Sequence, residues 1–411
     1  MEVMASNLLM KKHTGKINCI VTPPSSKSES NRVLIIDALT GGKCTLDNLS
    51  NARDTQTMIR LLKSNDYVLN VIDAGTTMRF LTAFCAVSGR EAEMTGTDRM
   101  CERPIKLLVD ALRELGCSIE YKNKEGYPPL SIKKFDKSAI KNNNLKIRGD
   151  VSSQYITALL MVAPTFPNGM ILELEGKVGS KPYIEMTLAL MKIFGVTAKT
   201  DWTSNTIEIA HQTYIPSTYS VESDWSGASY WFSMAALAQE AKIEIRGYKS
   251  DSLQGDRVIT AIAEKFGVKS TFTDKGLILE KTESVNSFEW DFTHCPDLAQ
   301  TVAVVCAAKG IECTMTGLES LRIKETDRIT AIQNELQKFG GDLIELVPNE
   351  KYKVISSGFK VDGQTVVTYK DHRMAMAFAP LALLGEVTIE GPEEVAKSYP
   401  DYWDDLKKAG F

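Results

Sequence analysis

Six times along the chain, a short polar cluster gives way to a run of small apolar residues. The openings are Ser25-Ser26-Lys27-Ser28, Asp73-Ala74-Gly75-Thr76, Val151-Ser152-Ser153-Gln154, Asp224-Trp225-Ser226-Gly227, Pro296-Asp297 and Asp371-His372-Arg373. Ser or Asp ahead of an apolar run predicts a capped helix start, followed by a helix that can be buried. After most openings a second helical stretch ends on an apolar residue and glycine: Leu115-Gly116, Phe194-Gly195, Phe266-Gly267, Phe339-Gly340 and Ala409-Gly410. These glycines recur roughly every seventy residues, so one supersecondary unit is used about six times.

Short β-prone runs lie between the helices, as in Met170–Leu174 before Gly176, Lys242–Ile245 before Gly247 and Val387–Glu390 before Gly391. Their alternation fits strands with one face on helices. A repeat therefore reads strand, helix, strand, helix, strand, and the class is α/β. The Lys- and Asn-rich stretch Lys133–Asn144 is expected to be a surface hairpin or loop. The polar segment His211–Ser223 falls after three repeats and sets a domain boundary near Val221. Residues 1–20 can pair with either half; the expected domains are 21–221, and 1–20 with 222–411.

Composition narrows the function. The 411 residues are 43% apolar and 24% charged, as in ordinary globular proteins. A net charge of −4 argues against a nucleic-acid or anionic-membrane binder, so any anion site must be local. Met1–His13 has no apolar stretch long enough for a signal peptide and is too short for a transit peptide. No run reaches transmembrane length. A cytoplasmic, bacterial protein is the expectation. The eight cysteines show no C-x-x-C spacing and are expected to be reduced. No metal site is expected, because the four histidines include no helical pair.

Helix starts attract anions, and several of these starts carry cations. Lys27, with hydroxyls beside it, can hold a phosphate, although a solvated polar cap explains the segment equally; it lacks the upstream glycine of a Walker loop. Gly75 permits close approach of a ligand to backbone, with Arg79 one turn later; a plain tight turn is the alternative. Arg103, ahead of Pro104, offers a fork to a carboxylate or phosphate, or else pairs with Glu102 on the surface. Ser152, Ser153, Gln154, Ser180 and Tyr183 can orient a polyhydroxylated ring and its phosphate, or simply cap helices. Lys324 and Arg328 stand four apart with Glu325 between them, which suggests proton transfer beside bound anions rather than a surface charge run. Arg373 leads a wholly apolar segment and is expected to face a cleft, and Lys397 near the last helix completes the set.

Taken in order, Ser-Lys-Ser-x-Ser-Asn-Arg, Ala-Gly-Thr-x-Met-Arg, Arg-Met-x-Glu-Arg-Pro-Ile, Val-Ser-Ser-Gln, Ser-Lys-Pro-Tyr, Lys-Glu-Thr-Asp-Arg and Asp-His-Arg-Met-Ala-Met resemble the 5-enolpyruvylshikimate-3-phosphate synthases of the enolpyruvyl transferase family. The likeness runs from about Gly15 to Trp403. It implies a two-lobed fold of six βαβαββ repeats, three per lobe (an inside-out α/β barrel), closing on a cleft. It implies two small-molecule substrates, shikimate 3-phosphate and phosphoenolpyruvate, with no cofactor, nucleic acid or membrane; a monomer is expected.

The resemblance also implies roles. Lys27, Ser28, Arg32, Ser152, Ser153, Gln154, Ser180, Tyr183, Asp297, Ser320 and Lys324 would hold shikimate 3-phosphate. Lys27, Gly75, Arg103, Gln154, Arg328, Arg373 and Lys397 would hold phosphoenolpyruvate. Asp297 would be the base toward the 5-hydroxyl, with Glu325 and Lys27 relaying protons at the methylene carbon. Ser320 stands where an Asn often contacts phosphate, and Asp73, Thr77 and Phe80 depart from the usual residues around the phosphoenolpyruvate turn, so the response to the inhibitor glyphosate is left open. Two rivals remain: the UDP-N-acetylglucosamine enolpyruvyl transferases, which use a loop cysteine that Cys101 brings to mind, and a non-catalytic anion-binding scaffold.

Overall fold

The structure is a computed structural model that describes residues 7–136, 143–150 and 152–411. Half of the Lys- and Asn-rich stretch expected to be a surface hairpin or loop, residues 137–142, lies outside the described residues, and a strand begins at Asn144.

Four helix starts are capped as their sequences predict. Ser26 Oγ accepts from Glu29 N at 3.3 Å, Ser152 Oγ from Gln154 N at 3.4 Å, Asp224 Oδ1 from Gly227 N at 2.9 Å, and Asp371 Oδ1 from Arg373 N at 2.9 Å. Each bond satisfies one of the backbone donors left open at a helix start. The other two starts differ. Ala74 holds the cap position of the Gly75–Ser88 helix and offers no side-chain bond, while Asp73 turns to Arg53 at 3.0 Å. Asp297 lies in a short 3-10 turn, Pro296–Leu298, that leads into the Ala299–Lys309 helix, and its carboxylate faces arginines. Both carboxylates meet guanidinium groups, which a surface cap would not. The closing glycines serve their predicted purpose: Gly267 has φ +86°, and a Cβ there would meet Thr282 O at 2.7 Å.

The chain divides into two compact units, Ser26–Val221 and Met1–Ser25 with Glu222–Phe411. Within the first unit the three apolar helices Lys27–Leu39, Gly75–Ser88 and Ser153–Val162 pack on one another. Within the second, Trp225–Leu237, Ala299–Lys309 and His372–Phe378 do the same. A helix apolar on every face has to lie inside, and nearly every residue of Trp225–Leu237 is buried.

Among the described residues each unit has three sheets. The complete repeat is seen in the strands Val68–Asn70, Ala92–Thr95, Ile119–Tyr121 and Leu130–Ile132. The first two pair in parallel across a helix, and an antiparallel hairpin follows, giving βαβαββ. Four of the six sheets have this four-stranded form, so the α/β repeat expected from the sequence is present with two abbreviated copies. In the first unit, among the described residues, Thr45–Asp47 pairs only with Thr218–Ser220, a strand from the far end of that unit. In the second, Gln364–Val367 and Val387–Glu390 are completed by Asn7–Met10. Lys16–Val21 also belongs to the second unit, parallel to Glu240–Arg246. Both amino-terminal strands thus join the carboxy-terminal half.

Candidate active site

Packing three apolar helices together gathers their polar starts, and in the first unit the gathering is direct. Gln154 Nε2 donates to Thr76 Oγ1 at 3.1 Å, tying the Ser153–Val162 start to the Gly75–Ser88 start. Arg79 donates to Gly75 O at 3.1 Å and to Pro104 O at 3.0 Å, where the Tyr155 hydroxyl also donates. Arg79 therefore orders the Gly75 turn and fastens it to the segment carrying Arg103. A Cβ on Gly75 would lie 2.8 Å from Arg103 Nη1, so the Arg103 guanidinium rests on the glycine itself. The surface ion pair weighed for Arg103 is made by Arg99 instead, at 3.1 Å from Glu102. Arg103 makes no ion pair among the described residues.

Lys27 Nζ meets Asp54 Oδ2 at 3.1 Å, and Asp54 is almost fully buried. Arg32 is tied into the first unit by four hydrogen bonds. Its Nε donates to Thr187 at 2.8 Å, Nη1 to Ser28 O at 2.7 Å, and Nη2 to Thr157 at 3.3 Å and Tyr183 O at 3.4 Å. Burial lowers its pKa to about 10, which leaves it charged. Two of these bonds reach the backbone of Ser28 and Tyr183, two other members of the expected set. Ser180 occupies the cap of the Lys181–Ile193 helix at φ +52°, yet its hydroxyl makes no capping bond. A non-glycine residue in that strained region, with an uncommitted hydroxyl, is the kind of feature that ligand contact explains.

The second unit centres on Arg328, whose side chain is 2% exposed. Nε and Nη2 fork onto Asp371 at 2.7 and 3.4 Å, Nη1 donates to Asp297 at 3.0 Å, and Nη2 donates to Glu325 at 3.0 Å. Arg373 Nη2 holds the other Asp297 oxygen at 2.8 Å, Lys324 approaches Asp297 at 3.8 Å, and Lys397 approaches Glu325 at 3.8 Å. Burial raises the Asp297 pKa, but Arg373, Lys324 and Arg328 together outweigh it and hold the carboxyl far below the usual carboxylate range. Arg328 is opposed by burial and favoured by Asp371, Glu325 and Asp297, with a net rise. Burial lowers the Lys324 pKa, with Asp297 pulling the other way. Ser320, in the Glu319–Ile323 turn, makes no polar contact with this cluster among the described residues.

The expected residues thus form two groups. Lys27, Ser28, Arg32, Gly75, Arg103, Ser152, Ser153, Gln154, Ser180 and Tyr183 belong to the first unit, and Asp297, Ser320, Lys324, Glu325, Arg328, Arg373 and Lys397 to the second. Sequence reasoning passed over the carboxylates that brace the cations: Asp54 behind Lys27, and Asp371 behind Arg328. The available signal was position, since each lies at or next to a helix start. Chemically, both groups are cations and neutral donors fixed for anions. Among the described residues there is no cluster of three His, Cys, Asp or Glu able to hold a metal ion.

Comparison with known proteins decides the family. The family model described as EPSP synthase (3-phosphoshikimate 1-carboxyvinyltransferase) matches residues 11–64 and 60–406. The chain belongs to the EPSP synthase family. A 3-phosphoshikimate 1-carboxyvinyltransferase of Bacteroides fragilis is 45% identical, over 96% of this chain and 96% of that protein. One of Haemophilus influenzae is 37% identical, over 94% of this chain and 95% of that protein. Among solved structures, an EPSP synthase from Acinetobacter baumannii superposes with TM-score 0.77 over 98% of both chains at 19% identity, which supports the two-lobed enolpyruvyl transferase fold. The EPSP synthase match does not favour the UDP-N-acetylglucosamine reading. Cys101 is half-buried, and its Sγ lies 3.9 Å from Gly96 O. No helix among the described residues is long and apolar enough to cross a membrane.

Proposed function

We propose that the chain is a transferase that moves the carboxyvinyl group of phosphoenolpyruvate to the 5-hydroxyl of shikimate 3-phosphate and releases phosphate, a step toward chorismate and the aromatic amino acids. The observation that carries this reading is that Lys27, Arg328 and Arg373 of the family's motifs stand at helix starts, with Lys27 braced by buried Asp54 and Arg328 by buried Asp371. Two substrates bring two phosphates and two carboxylates, and charge-assisted hydrogen bonds of about 1.5–3 kcal/mol each can hold them without a metal.

Shikimate 3-phosphate is assigned to Lys27, Ser28, Arg32, Ser152, Ser153, Gln154, Ser180, Tyr183, Ser320 and Lys324, with Asp297 at its 5-hydroxyl. Phosphoenolpyruvate is assigned to Lys27, Gly75, Arg103, Gln154, Arg328, Arg373 and Lys397. The reaction adds and then eliminates. A proton goes to the methylene carbon, by way of Glu325 and Lys27, while the 5-hydroxyl attacks the central carbon and gives its proton to Asp297. The tetrahedral intermediate then loses phosphate by breaking the C–O bond, the methyl group gives up a proton, and the enolpyruvyl ether remains. Asp297 suits the base's part only when the cations around it turn toward substrate anions, because until then its basicity is suppressed. The enzyme is placed in the cytoplasm and acts as a monomer.

A coupled phosphate assay tests the reaction. Phosphate release that requires both substrates is expected; release from phosphoenolpyruvate alone at the same rate would contradict it.

A further inference from the structure

One buried carboxylate beside the second cluster has no part in the reaction as assigned. Asp256 is the second residue of the short Gly255–Val258 turn and is almost fully buried. Its Oδ2 accepts a short hydrogen bond from the Ser226 hydroxyl, while its Oδ1 is buried with no hydrogen-bond partner. Ser226 Oγ also accepts from Arg373 Nη2 at 3.5 Å, the same nitrogen that donates to Asp297 at 2.8 Å. The chain Asp256, Ser226, Arg373, Asp297 therefore links an idle carboxylate to the proposed base through one hydroxyl and one guanidinium. The charged and titratable groups facing Asp256 are Asp224 from the start of the Trp225–Leu237 helix, Asp297 and Cys295 from the turn ahead of Ala299–Lys309, and Arg373 from the His372–Phe378 helix. The Cys295 thiol is pushed up to about 12, chiefly by burial and then by Asp256, so it stays neutral.

We propose that Asp256 is a positioning residue that sets the charge on the Arg373–Asp297 pair and takes up a proton from solvent when phosphoenolpyruvate binds. The inference rests on the transferase reading above. Arg373 is a cation shared by Asp256 and Asp297. An anion that draws Arg373 toward itself leaves two buried carboxylates with less compensation, and burying an uncompensated charge is costly. Protonating Asp256 removes the excess, and leaves Asp297 as the ionised base. Asp256 is the group able to do this, since burial and then the Asp297 charge raise its pKa to about 7, against the Ser226 bond and Arg373, which lower it.

By linkage, phosphoenolpyruvate binds more weakly where Asp256 must first gain its proton, that is above about pH 7. Asp256→Asn is neutral at every pH and keeps an acceptor for Ser226. The test is KM for phosphoenolpyruvate at saturating shikimate 3-phosphate, by phosphate release between about pH 5.5 and 9, in both proteins. Taking the wild-type to variant ratio cancels titration of the substrates themselves. The ratio is expected near one at the acid end, rising to about tenfold at the alkaline end, the factor for one unit of pKa displacement. A ratio independent of pH, or a KM raised by Asp256→Asn at every pH, would overturn the proposal and leave Asp256 a structural carboxylate. Should the Asn variant not melt cooperatively, Ser226→Ala decides: loss of the donor that holds the ionised form moves the wild-type KM inflection to higher pH, and an unmoved inflection overturns the proposal. A wild-type chain that releases no phosphate from both substrates refutes the reaction itself, an outcome distinct from either of these.

Discussion

Arg328 and Gly75 show how single residues set the chemistry. Arg328 uses all three guanidinium nitrogens on Asp371, Asp297 and Glu325, so it is fixed before any ligand arrives. Preorganisation of this kind keeps reorganisation out of the reacting step. Asp297→Ala should lower kcat by about 10²–10⁴-fold, the usual worth of a positioned base, with phosphate release as the readout. Turnover near the wild-type rate would move the base elsewhere. Gly75→Ala would put a methyl group 2.8 Å from Arg103 Nη1 and 2.9 Å from Arg79 Nη1. The guanidinium of Arg103 must then shift, and KM for phosphoenolpyruvate should rise by about 10–100-fold, with less change in that for shikimate 3-phosphate.

Asp256 also makes a stability prediction. Its pKa is raised from 3.8 to about 7 on folding, so the folded state binds the proton more tightly. Its favourable contribution is complete below about pH 4 and is lost as pH rises through about 7. Asp256→Asn cannot lose it. Relative to wild type, the variant's melting temperature should therefore climb between pH 5 and 8 by at least about 2 °C, read by calorimetry. A relative Tm that falls over that interval would contradict the assigned environment.

At the scale of elements, the sequence is most informative where a signal is local. Ser26, Ser152, Asp224 and Asp371 each bond a backbone N–H within three residues, so the helix starts could be read without a structure. The closing glycines are equally local. The bracing pairs are not: Lys27 with Asp54, Arg328 with Asp371 and Ser226 with Asp256 join residues 27, 43 and 30 positions apart. No spacing rule predicts them, nor the bonds that tie Arg32 to Thr157, Thr187 and Tyr183. Asp371 combines both kinds of contact. Asp371→Ala removes a cap and leaves Arg328 buried with less compensation, for an expected loss of about 3–5 kcal/mol in urea unfolding. Asp371→Asn keeps an acceptor for the Arg373 N–H and should lose less. Equal losses would mean that the cap on the Arg373 N–H contributes nothing and that the lost charge facing Arg328 accounts for the whole effect.

For the molecule as a whole, the repeat count was legible because six apolar runs demanded six buried helices. The two abbreviated sheets were not. Thr218–Ser220 and Asn7–Met10 are strands whose partners, Thr45–Asp47 and Val387–Glu390, lie far along the chain, and neither strand's own sequence says where it pairs. The reaction was legible through motif order, since cations at separate helix starts form a combination that few folds require. What unites the account is the fate of one bond. Phosphoenolpyruvate labelled with ¹⁸O at the oxygen between carbon and phosphorus, turned over with shikimate 3-phosphate, measures it directly by mass spectrometry of the released phosphate. The label is expected in the phosphate, because the tetrahedral intermediate breaks C–O; phosphate released without the label would mean P–O cleavage and would contradict carboxyvinyl transfer.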